Sequence, residues 1–128
     1  MKIKDIMCEQ TIKLTDLYDD NELNDETEIM YNFIDVDDSN RNFKVHTMTP
    51  QQAKNIKTAS KDTTVYQSYK DFATKEAKLL VNEKIKYWDR DRIILLINDV
   101  LLDGNHHFIA GIKTNKPIKY INLAEYSD

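Results

Sequence analysis

A chain of 128 residues is long enough for one ordinary domain, burying roughly two-thirds of its unfolded surface, and nothing in it demands a second. It has no run of about eighteen apolar residues, and its start, MKIKDIMCEQ, lacks an apolar signal core, so a membrane span is excluded and a soluble, cytoplasmic protein is expected. The net charge of −4 conceals a division, since residues 1–40 carry 12 acids against 3 bases and residues 41–128 carry 15 bases against 10 acids; the first part, without cations between Leu14 and Asn40, is excluded from direct phosphate contact with nucleic acid.

Lys2-Ile3-Lys4-Asp5, with Ile6 and Met7, predicts a short edge strand. Cys8 is the only cysteine, which rules out an intrachain disulfide and reads as a small buried hydrophobe. The acidic stretch then keeps Ile29, Met30, Phe33 and Ile34 at helical spacing, and a helix from Asp25 to about Ile34 would place Asp25, Glu26 and Glu28 at its positive end. Its acids from Asp16 to Asp38 form either a solvated face or a surface for a basic partner. Asp35, Asp37 and Asp38 resemble the opening of a calcium loop, but the glycine and closing glutamate are missing, so no metal is expected.

Asn42–Met48 alternates, with Phe43 and Val45 inward and Lys44 and His46 outward, the pattern of a half-buried strand. Thr49-Pro50-Gln51-Gln52 then supplies a cap, a first-turn proline and a capping-box glutamine. A helix is expected from Pro50 to about Ser60, with Ala53 and Ile56 inward. Ser68 is read as the cap of a main core helix running to about Glu83, with Tyr69, Phe72, Ala73, Ala77, Leu80 and Val81 on its buried face. Tyr66, Tyr69 and Phe72 are assigned to the core rather than to base stacking. In Trp88-Asp89-Arg90-Asp91-Arg92 the charges either pair with one another or send Arg90 or Arg92 to a phosphate.

Ile93–Ile97 is continuously apolar, the mark of a central strand covered on both faces. Asn98-Asp99 turns the chain into Val100–Leu102, an antiparallel partner. Gly104 permits an unusual backbone angle, and Asp103 or Asn105 is the expected cap of a helix from about His106 to Thr114. Phe108, Ile109 and Ile112 face inward, Asn115 closes the helix, and Pro117 precedes a strand at 118–123.

Strand end, glycine and helix start together make an anion site, because free N–H groups and the positive dipole end converge there. His106 and His107 add side-chain donors, and histidine changes charge nearest neutral pH. Neighbours on a helix point about 100° apart, so the pair is not suited to one metal ion. One core-side and one surface histidine is the plainer alternative.

Val100-Leu-Leu-Asp-Gly-Asn-His-His-Phe-Ile-Ala110, followed by a short helix and Pro-Ile-Lys-Tyr-Ile-Asn-Leu, resembles the core motif of the ParB/sulfiredoxin-like superfamily over residues 92–123. The resemblance implies a small α+β domain with a mixed or antiparallel sheet, and a loop that binds nucleotide phosphates, a nucleoside triphosphate with magnesium being the implied cofactor. Members include nucleotide-hydrolysing partition proteins, sulfiredoxins, free-serine kinases and phage proteins. Asn105 stands where sulfiredoxins carry their catalytic cysteine, which excludes that chemistry. His107 stands where the family keeps arginine, a weaker phosphate ligand. The expectation is a nucleotide- or phosphate-binding protein, with phosphoryl transfer or hydrolysis as its possible chemistry. In it Gly104, Asn105 and Arg92 would hold phosphate, and His106, His107 and Asp103 would carry catalysis. The alternative is a non-catalytic phage or mobile-element accessory protein whose acidic 16–38 surface binds and inhibits a basic, nucleic-acid-handling partner.

Overall fold

The computed structural model describes residues 10–17 and 41–125. In chain order its elements are β1 (Thr11–Ile12), α1 (Leu14–Leu17), β2 (Phe43–Lys44), β3 (His46–Met48), α2 (Pro50–Ala53), α3 (Val65–Phe72), α4 (Lys75–Lys86), β4 (Ile93–Ile97), β5 (Val100–Asp103), α5 (Asn105–Thr114) and β6 (Ile118–Asn122). The architecture is α+β. Cys8, the strand expected near Ile3, the helix expected from Asp25 and the loop at 35–40 lie outside the described residues.

The apolar run takes the centre of the main sheet, whose order is β3-β6-β4-β5. β5 returns antiparallel through the Asn98-Asp99 turn, with Asn98 at φ 54°. β6 lies parallel to β4 and antiparallel to β3, so the chain must cross over the sheet between them, and α5 is that crossover. Alternation along β4 sends its side chains to two cores. Ile94 and Leu96 meet Phe108, Ile109 and Ile112 of α5, Val81 of α4 and Val65 of α3 on one face. Ile93 and Leu95 meet Leu14, Phe43, Ile121 and Leu123 on the other.

The helices upstream depart from expectation in instructive ways. Thr49 and Gln52 form the capping box at Pro50, yet α2 ends after one turn rather than near Ser60. The backbone of Lys57 is claimed by the β4–β5 hairpin instead, donating to Asp99 O at 2.7 Å and accepting from Leu101 N at 3.0 Å. The expected helix from Ser68 is two helices, capped by Thr64 and Thr74. Because the chain breaks at Ala73, Phe72 and Leu80 are not core residues, and Phe72 is 79% exposed. The 42–48 strand is likewise two short strands in different sheets, split at Val45. His46 is half-buried rather than outward, stacked on Tyr120 at 5.3 Å with its Nε2 2.7 Å from a Glu125 carboxylate oxygen. No helix among the described residues is long and apolar enough to cross a membrane.

Candidate functional site

The β4–β5 hairpin brings both of its ends to one place. Arg92, entering β4, and Asp103, leaving β5, face each other, and a guanidinium nitrogen donates to the carboxylate at 3.2 Å. Thus Asp103 does not cap the following helix. Neither does Asn105, since α5 starts from Gly104, which offers no side-chain cap. Gly104 sits at φ 96°, and a Cβ there would lie 2.4 Å from Cγ2 of Ile94. The glycine therefore answers two demands at once, a left-handed backbone and a close approach to β4. Its carbonyl accepts from Phe108 N at 2.9 Å and begins the helix, leaving the first-turn N–H groups without a side-chain cap.

These residues form one wall of a cavity of about 640 Å³. Arg92, Asp103, Gly104, Asn105, His106 and His107, all singled out from the sequence, line it together. The same cavity is lined by Lys84 of α4, which sequence reasoning passed over, and by Tyr69 and Phe72 of α3, which it assigned to the core. Lys84 is one lysine among many on a polar helix and carries no local signal. Phe72 did carry one, an apolar side chain at helical spacing, but the uninterrupted helix assumed for it pointed the ring inward.

The two histidines differ sharply. His106 is half-buried, whereas His107 is 4% exposed and stacks on Trp88 with ring centroids 4.2 Å apart and planes 12° from parallel. Burial, with Arg92 and Lys84 adding repulsion against the partial opposition of Asp89, lowers the His107 pKa to about 4. At neutral pH His107 is therefore an uncharged wall of the cavity. Burial beside two cations disfavours a second proton on this ring.

The cavity wall thus includes two cations, Arg92 and Lys84, an uncapped helix start and two aromatic rings, Tyr69 and Phe72. Asp103 is the one acid among the described lining residues, and it is engaged with Arg92. Among the described residues no group of three or more His, Cys, Asp or Glu side chains is placed to hold a metal ion. Compared with protein-family models, curated proteins and solved structures, the chain matches none.

Proposed function

We propose that this protein is a ParB/sulfiredoxin-like nucleotide-binding domain, with the ligand's phosphate seated on the N-terminus of α5. The observation that carries this reading is one cavity that joins an uncapped helix start, Arg92 and Lys84 to the rings of Tyr69 and Phe72. Backbone N–H groups and a guanidinium suit phosphate, and the exposed ring of Phe72 beside the half-buried Tyr69 suits a base. Magnesium, where it accompanies a triphosphate, would take most of its ligands from phosphate and water, since Asp103, the one acid among the described lining residues, already serves Arg92. Phosphoryl transfer or hydrolysis on the bound nucleotide extends the same reading, and His106 then carries the proton while neutral His107 shapes the wall.

Thermal shift against a panel of nucleotides, with and without magnesium, tests it. At about one hundred times Kd a ligand stabilises by about 2.7 kcal/mol, a rise of several degrees. The rise should vanish in Arg92→Gln combined with Lys84→Gln. No shift with any nucleotide, in a protein that unfolds cooperatively, sinks the proposal. Phosphate release that disappears in His106→Ala would support the catalytic extension.

A second reading, an interaction protein that inhibits a basic, nucleic-acid-handling partner, is favoured by the charge division of the chain. Of the acids between Leu14 and Asn40 only Asp16 lies among the described residues, exposed, with its carboxylate accepting from Lys13 N at 3.0 Å. Capture of a basic partner should weaken with salt and with Asp-to-Asn changes in 16–38; salt-insensitive capture counts against it.

A further inference from the structure

Arg90 and Arg92 are two residues apart and serve different cavities. Arg92 lines the one described above, whereas Arg90 borders a second cavity of about 560 Å³ beyond the C-terminal end of α5. Its wall includes Trp88, Asp91, Lys116, Pro117 and Lys119. Lys119 is drawn 3.5 Å from Asp91, but neither Arg90 nor Lys116 has an acidic partner among the described residues. The backbone of Lys116 is held in place, because Asn115 turns left-handed at φ 58° and the Lys116 N–H donates to Gly111 O at 2.9 Å. Trp88 and Pro117 add apolar surface to the same wall.

We propose that this second cavity binds a single nucleotide unit, its base against Trp88 and its phosphate between Arg90 and Lys116. A planar guanidinium and an ammonium together select an anion, and an indole beside them selects one that carries an aromatic face. The negative dipole end of α5 is close by and opposes an anion. Three cations against the single Asp91 outweigh it. The unit belongs either to a free nucleotide or to a single strand, and both present the same chemistry. This inference does not depend on the ligand of the first cavity. The two sites nevertheless share a wall, since Trp88 borders one, His107 borders the other, and the two rings stack on each other.

Trp88 is the only tryptophan in the chain, so its emission, excited at the red edge of its absorption, reports on this wall. Thymidine monophosphate should change it saturably, with thymidine far weaker for want of phosphate. Arg90→Ala with Lys116→Ala should raise the apparent Kd about tenfold, while Arg92→Gln with Lys84→Gln should leave it unchanged. Short oligothymidine binding tighter than the monophosphate identifies a strand as the source, and equal affinity a free nucleotide. Both results support the site. The proposal is overturned by a response that follows the Arg92 and Lys84 changes instead, which would come from the first cavity through His107, or by no saturable response in the folded protein.

Discussion

His107 is where the site and the stability of the protein meet. Its folded pKa, about 4, lies below the ordinary 6.5, so the folded state resists a proton that the unfolded chain accepts readily. The stabilisation is complete above 6.5 and is lost as pH falls toward 4, because only the unfolded state gains a proton in that window. A shift of this size corresponds to roughly 3 kcal/mol. Replacing His107 by Phe keeps a flat ring against Trp88 and removes the titration. Urea unfolding from neutral pH down to pH 4 should therefore show a shallower fall for His107→Phe than for the wild type, and parallel curves would mean that the ring is not held neutral. The same burial bears on chemistry. A histidine that stays uncharged beside Arg92 adds no positive charge to the cavity, so Arg92 and Lys84 are the cations of its described wall.

The helices α3 and α4 show what a periodic pattern can hide. Thr64 accepts from Gln67 N at 3.1 Å and Thr74 from Ala77 N at 3.0 Å, each satisfying one of the orphan donors of its own first turn. Removing either hydroxyl with alanine should cost about 1 kcal/mol in chemical denaturation. Ser68, in the middle of α3 and facing the first cavity, caps nothing, so Ser68→Ala should fall within about 0.5 kcal/mol of wild type. Equal costs at Ser68 and Thr74 would restore the single helix that the spacing of Tyr69, Phe72, Ala73, Ala77 and Leu80 suggested. That spacing was read correctly as helical and wrongly as continuous, because apolar recurrence says nothing about a break that a threonine cap can supply. By contrast, β4, β5, α5 and β6 were legible almost residue by residue. An all-apolar strand, an Asn-Asp turn, a glycine and a proline are local signals, and the site residues from Arg92 to His107 share one short stretch. Lys84, Tyr69 and Phe72 reach the same cavity only through the packing of α3 and α4 on α5, which no local pattern encodes. The cap of α5 was misassigned for a related reason: the Asp103 carboxylate is engaged by Arg92, a partner from the other strand of the hairpin.

At the scale of the whole molecule, the hairpin that carries the site is stiff only if both faces of β4 are covered. One face has α5 and the helices packed around it. Among the described residues the other is covered by small elements: α1 is a single turn, β1 pairs with β2 over two residues on each strand, and Val45 N donates to Gln10 O at 2.9 Å. Yet Leu14 and Phe43 from these elements are fully buried against Ile93 and Leu95. Burial of that completeness makes the short N-terminal elements structural rather than ornamental. Leu14→Ala should cost about 2–5 kcal/mol, and Phe43→Ala about as much as Phe108→Ala on the opposite face, roughly 3–5 kcal/mol. Leu14 belongs to the core on the face of β4 away from α5, and Leu102 is the one described residue that both packs against that core and lines the first cavity, so the loss of Leu14 should lower the unfolding midpoint far more than it changes the affinity of the proposed nucleotide site well below that midpoint. Calorimetric titration beside denaturant unfolding separates the two effects. A Leu14→Ala protein that keeps its stability would show that the second face needs no cover. One that keeps its fold but loses affinity would show that the cover sets the geometry of Arg92 and Asp103, whose strands start and end on the sheet it braces.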